Sequence, residues 1–280
     1  MQTSFDRLGD RLFDALHGDE VLLLAFEGEE TDFVRLNKAR VRQAGRVVQR
    51  VAHLQLVLGA RHAAAQLTLS GDAGADTARA LAAMAGLREQ LPLLPEDPHL
   101  LFNREATVSC SVGANELPDA GDAIDEVLGQ AEGLDLVGIW ASGGVHSGYA
   151  TSLGQRSWFT AHTFNLGWSV YDRTDKAVKC GYAGTRWDAD ELARKLTAAR
   201  EQLAVLRRPA RTVEPGRYRV YLAPAAVSEL LGLLSWGGFS KKAAQTKRSP
   251  LLRAIEGRER FSPLVTLTER ADAGLTANWG

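Results

Sequence analysis

Between Val21 and Asp72 four stretches alternate apolar and polar side chains between short punctuations, and this period of two constrains the fold more than any other feature. The stretches VLLLAFEGEE, TDFVRLNKARVRQAG, RVVQRVAHLQLVLGA and RHAAAQLTLSGD, punctuated by Gly, Asn and Asp, read as strands of an antiparallel meander. In the third, Val47, Gln49, Val51 and His53 fall on one side, and Val48, Arg50, Ala52 and Leu54 on the other. That is the pattern of a half-buried strand. A helix is predicted before the meander, over residues 3–17, with Phe5, Leu8, Leu12, Phe13 and Leu16 on one stripe. A second helix, DTARALAAMAGLREQL, and a proline-rich connector, PLLPEDPHL, follow it. The expected class is α+β, with antiparallel or mixed sheets packed against helices.

Past residue 100 the pattern starts again. The helix DAGDAIDEVLGQAEG leads into strand-like LDLVGIWASGG, VHSGYATSLG, QRSWFTAHTFNLGWSVYDRTDKAV and KCGYAGTRW, and then into the helix DADELARKLTAAREQLAVLRR. PARTVEPG, with two prolines and a glycine, breaks the chain after it. Three segments are therefore expected: an α+β unit over 1–100, a second over 101–212, and the incomplete beginning of a β-rich C-terminal domain over 213–280. The last contains a strand (RYRVYLAP), a helix (PAAVSELLGLLSW) and the start of another strand (SPLVTLTE). That is little material for an independent core. No fixed-period repeat is present.

The totals exclude several classes. There are 33 basic and 34 acidic residues, a formal charge of -1, and 45% hydrophobic residues. This balance demands neither nucleic acid nor an anionic membrane. The densest basic cluster, SKKAAQTKRSP, has no aromatics on which bases could stack. The longest apolar run, VLLLAF, is far shorter than the roughly 20 residues that cross a bilayer. Only Cys110 and Cys180 occur. Two isolated thiols without secretory features point to a reducing, cytoplasmic location.

Local chemistry is sparse. Histidines 17, 53, 62, 99, 146 and 162 make no i+3 to i+5 pair, and neither cysteine has C-x2-C spacing. His53 reads as a partnered sheet residue, and His17 as a cation at a helix C-terminus. His99 is expected in a turn, and Glu96, Asp97, Asp122, Asp125 and Glu126 on solvated faces or turns. GGVHSG sets His146 beside Ser147 in what reads as a hairpin corner, without the G-x-S-x-G spacing of a nucleophile elbow. No phosphate-binding glycine motif opens a helix.

The helix PAAVSELLGLLSW carries Val227, Leu230, Leu231 and Leu234 at the spacing of a buried face, with Glu229 alone among them. ETDFVRLNKARVRQAG, HSGYATSLGQRSWF, RYRVYLAPAAVSELLGLLSWGGFSKKAAQTKRSPL and FSPLVTLTE together resemble, in order and spacing, the TldD/PmbA proteins, which comprise zinc-dependent peptidases and their partners. In the peptidase subunits of that family this helix carries His-Glu-x-x-x-His, with two imidazoles on zinc and the glutamate as general base. The matching positions here are Ser228, Glu229 and Leu233. A serine is a poor zinc ligand and a leucine is none. The resemblance thus implies the metal-free PmbA/TldE-like branch, with no catalytic, cofactor or metal residue in this chain and zinc in a partner. Glu229 is either a family position stripped of its metal or a solvent-facing helix residue. The family's length implies a further stretch of its last domain beyond residue 280.

Implied partners are a zinc-bearing TldD-like subunit or a second copy, and an unfolded or small peptide, with no nucleic acid and no membrane. A metal-free scaffold of the same fold is the alternative. An autonomous hydrolase using Ser147 or Ser228 is disfavoured, because neither serine has a placed base.

Overall fold

The computed structural model describes residues 1–173, 175–270 and 274–277. Helices lie at Gln2–Phe13 (α1), Ala73–Gln90 (α2), Ala120–Gln130 (α3), Ala189–Leu206 (α4), Pro224–Ser235 (α5), Lys241–Gln245 (α6) and Leu252–Ile255 (α7). Strands lie at Val21–Leu36 (β1), Val41–Leu58 (β2), Arg61–Thr68 (β3), Val108–Val112 (β4), Asp135–Thr151 (β5), Arg156–Arg173 (β6) and Lys176–Gly184 (β7). The class is α+β. Contacts group Met1–Ala210 into one compact unit and Arg211–Arg270 into another.

One seven-stranded sheet organises the first unit, in the order β3-β2-β1-β5-β6. The outer edge of β6 is shared by parallel β4 and antiparallel β7. The sheet is continuous across residues 1–100 and 101–212, because β1 pairs with β5 from Leu23↔Thr151 to Leu36↔Gly138. Four meander segments were expected between residues 21 and 72, and three strands form. The turn falls at Asn37–Arg40, where Asn37 and Arg40 exchange backbone hydrogen bonds (2.9 and 3.1 Å). Lys38 and Ala39 both take positive φ, 52° and 50°. Such a turn normally carries Asn-Gly. Two side-chain-bearing residues there cost about 1–2 kcal/mol each, so no local signal marks this turn. The Ala39 N–H donates to the Leu136 carbonyl (3.0 Å), and Ala39 packs against the core, offsetting part of the cost.

Even-numbered residues of β1, β5 and β6 all face the helices. Leu22, Leu24, Phe26, Ala150 and Trp158 pack under α1 and α2, whereas Val34, Leu36, Trp140, Phe164 and Leu166 pack under α3 and α4. A strand of this length runs about 50 Å, but a helix pair covers only about 20–25 Å. A polar strip therefore remains between the two covers, with Glu30, Gly144 and His162 in register across three strands. The opposite face carries exposed Val137, Ile139 and Val145.

The helix starts obey local capping chemistry. Asp72 accepts from the Ala75 N–H (2.8 Å), Asp119 from Gly121 (2.7 Å) and Asp188 from Asp190 (2.9 Å). α1 ends at Phe13, earlier than expected, and His17 lies in the following turn. There Glu20, buried at 5% side-chain exposure, receives Nε and Nη2 of Arg88 (2.6 and 2.8 Å) and the His17 N–H (2.8 Å). Arg88 also donates to the Ala15 carbonyl (3.2 Å), so one ion pair ties the end of α2 to the α1–β1 connection.

In the second unit RYRVYLAP and SPLVTLTE, expected as strands, have no regular structure up to residue 270. Residues 211–270 supply no neighbouring strand to receive their backbone hydrogen bonds. The expected helix forms as α5, and the short helices α6 and α7 follow it. Ser240 caps α6 through the Ala243 N–H (3.2 Å), and the buried Ser249 hydroxyl donates to the Gly238 carbonyl (2.9 Å).

Hydrogen bonding from Arg88 holds the Glu20 carboxyl below its ordinary pKa, against its burial. Its stabilising contribution is complete above the unfolded value near 4.3 and is lost as pH falls through the folded one. We expect Glu20→Gln to cost about 3–5 kcal/mol at pH 7. Melting curves between pH 7 and pH 3 should show this deficit shrinking as the wild-type carboxylate protonates.

Candidate functional site

The helix matched to the zinc motif is α5. Pro224 occupies its first turn, where a missing N–H costs nothing, and Ala223 before it is extended. Ser228, Glu229 and Leu233 all lie on α5 and are all exposed, Leu233 at 72%. The stripe expected to be buried is uncovered: Val227, Leu230 and Leu231 are 39%, 50% and 37% exposed. Leu234, the fourth of the stripe, is half-buried, and no residue of α5 is fully buried, so the apolar spacing produces a helix without a closed core.

The donor set does not fit zinc. Besides the hydroxyl of Ser228 and the alkyl chain of Leu233, residues 211–270 contain no histidine or cysteine at all. Among the described residues no group of three or more His, Cys, Asp or Glu side chains is placed to hold a metal ion. Glu229 has no metal-bound water to activate, and no catalytic step follows from these three positions.

GGVHSG is not a hairpin corner. It lies in mid-β5, paired with β1 on one side and β6 on the other. Its glycines serve close approach of other groups. A Cβ at Gly143 would collide with the Glu30 carbonyl oxygen of β1, and one at Gly148 would stand 2.8 Å from the Phe5 ring. Strand pleating sends His146 and Ser147 to opposite faces. His146 Nδ1 shares a hydrogen bond with Thr160 Oγ1 (3.0 Å), which also accepts from Trp158 Nε1 (3.0 Å). His162 Nδ1 donates to the Gly113 carbonyl (3.2 Å). Burial chiefly pushes the His146 imidazole below its ordinary pKa. Ser147 lies across from Glu27 of β1, and among the described residues no hydrogen bond joins its hydroxyl to a base.

The remaining polar residues mostly bind local partners, although His53 Nε2 is buried without a hydrogen bond among the described residues. His53 lies on β2, 3.9 Å from Glu27. His62 accepts from Gln55 (3.1 Å) and donates to Asp97 (3.3 Å), pinning the proline-rich connector together with Arg61, whose Nε donates to the Leu94 carbonyl (2.8 Å). Glu96 stands 3.4 Å from Arg61, and the His99 N–H donates to Asp97 (2.9 Å). Asp122 and Asp125 are exposed, whereas half-buried Glu126 accepts from Trp187 Nε1 (2.7 Å). Sequence reasoning missed that last bond and the Glu20–Arg88 pair, whose members lie 61 and 68 positions apart with no local signal.

The family model for the PmbA/TldA metallopeptidase C-terminal domain matches residues 215–278. Residues 215–278 are thus similar to the TldD/PmbA family. Three solved structures share its fold. TldE from Thermococcus kodakarensis is 11% identical over 89% of this chain and 57% of that one, with a TM-score of 0.58. A "putative modulator of a DNA gyrase" from Thermotoga maritima is 13% identical over 88% and 58%, with a TM-score of 0.62. A counterpart from Bacteroides thetaiotaomicron is 14% identical over 89% and 59%, with a TM-score of 0.59. The chain thus spans less than two thirds of the length of each. A search of curated proteins by sequence finds no match. Among the described residues no helix is long and apolar enough to cross a membrane.

Two outcomes follow. Gly143→Ala should lower stability by about 1–3 kcal/mol or more, because the new methyl meets backbone rather than a movable side chain. Ser228→Ala and Glu229→Gln, on an exposed helix face, should stay within about 0.5 kcal/mol of wild type. Urea unfolding of the three variants checks both.

Proposed function

We propose that this chain is the non-catalytic, PmbA/TldE-like subunit of a two-chain zinc metallopeptidase acting on unfolded or small peptides, as in proteolysis or peptide maturation. The observation that carries the reading is chemical. At the positions where the family's peptidase subunits place two imidazoles, α5 has Ser228 and Leu233, in a unit without a single histidine or cysteine. A general base at Glu229 has nothing to act on here, so zinc and the reacting water belong to a TldD-like partner. The fold shared with TldE supports placing the chain on the metal-free branch. The uncovered stripe of α5, with Trp236 and Phe239 beyond it at 87% and 63% exposure, is apolar surface of the kind that associates. Two free cysteines agree with a cytoplasmic complex.

Within such a complex this subunit would shape the chamber and present the peptide while its partner cleaves. Native mass spectrometry of the protein recovered from its host, with bound zinc measured alongside partner mass, tests the reading. A heavier complex in which zinc follows the partner chain is expected. A zinc-free self-assembly or a lone monomer would instead support the metal-free scaffold. Zinc riding on this chain alone would overturn the assignment of Ser228 and Leu233.

A further inference from the structure

A crevice of about 700 Å³ opens between α1 and α2 above β1 and β2, remote in sequence from α5 and wholly within the first unit. Its floor is apolar, formed by Phe5, Leu8, Phe26 and Leu81. Its wall carries Arg7 and Arg11, one helical turn apart on α1, and Arg50 from β2, against the two carboxylates Glu30 and Asp76. Among the described residues neither Arg7 nor Arg11 is paired with a carboxylate, and Arg50 has only a 3.6 Å approach to Glu30.

The position of Arg50 is unusual. A Cβ at Gly71 would stand 2.8 Å from its Nη1, so the glycine admits the guanidinium to the loop that opens α2. A cation beside a helix N-terminus is the electrostatically disfavoured arrangement, since that end of the helix attracts anions. The local carboxylates are already committed. Asp72 accepts from the Ala75 N–H, and Asp76 accepts from the Ser70 N–H and hydroxyl and from the Gly71 N–H, all at 2.8–2.9 Å. The Ala73 and Gly74 N–H groups at the crevice wall have no protein acceptor among the described residues. Three arginines thus line one oily-floored crevice beside two carboxylates, Asp76 engaged by Ser70 and Gly71 and Glu30 approached by Arg46 and Arg50, with room for an anion carrying an apolar tail.

We propose that this crevice binds the C-terminal residue of a peptide, with its carboxylate held by Arg50, Arg7 and Arg11 and its apolar side chain seated on Phe5, Phe26 and Leu81. Arginine suits the task because its fork of donors matches a carboxylate's two oxygens. The crevice would give the protein a way to sense free chain ends, and the proposal stands whether or not the chain acts as a peptidase subunit.

The test is isothermal titration of the purified chain with an acetylated tetrapeptide ending in leucine, as the free acid and as its C-terminal amide. The free acid should bind, and the amide at least tenfold more weakly. Arg7→Gln/Arg11→Gln, at exposed positions, should weaken the acid at least tenfold, as should Ala78→Phe, which fills the crevice, while circular dichroism and melting remain those of wild type. Equal binding of acid and amide, no binding of either, or unchanged affinity in the folded double variant would overturn the proposal. Octanoate binding as tightly as the peptide would overturn the assignment to a peptide end.

Discussion

The first unit depends on one constraint, an unbroken alternation of facing along β1 from Leu22 to Val34. A slip of a single residue anywhere in that strand would exchange its buried and exposed sets. Because no slip occurs against β5, the same strand presents Leu22, Leu24 and Phe26 to one helix pair and Val34 and Leu36 to another. The two cores are thereby locked to one another by backbone hydrogen bonds. The glycines of β5 protect that alignment. Gly143 allows β1 to lie close, and Gly148 makes room for Phe5, so residues that look like a turn are what keep the strand long.

Polar groups take their roles from this geometry. Where the helices cover the sheet, a charge survives only with a partner, as Glu20 does with Arg88. In the strip between the covers, His146, Thr160, Trp158 and His162 satisfy one another or backbone carbonyls. That strip gathers Glu30, His146 and His162, and strand pleating turns Ser147 to the other face. The crevice between α1 and α2 is different, since its cations exceed their available partners.

The second unit shows how far a local pattern reaches. Pro224, the apolar spacing of α5 and the Ser240 cap specify helices over short range, and the helices form. The stripe on α5 and the extended stretch before it require a covering surface and a neighbouring strand, and residues 211–270 provide neither. Ser228, Glu229 and Leu233 all lie on α5, where a serine hydroxyl is a poor donor for zinc and a leucine side chain is none.

By itself, the sequence determined what depends on neighbours a few positions away. The period of two along β1 to β3 announced strands, and Asp119 and Asp188 opened two of the expected helices, whereas α2 starts at Ala73, ahead of the expected Asp76. Tertiary structure decided what depends on distant partners. It turned the chain at Lys38 and Ala39, whose left-handed conformations no propensity favours but the Leu136 carbonyl and the core reward. It joined residues 1–100 and 101–212 into one sheet through β1 and β5, and it carried the strand through GGVHSG. Local rules fail at these places because the deciding groups lie tens to more than a hundred positions away, and only the folded sheet brings them within hydrogen-bonding or van der Waals reach.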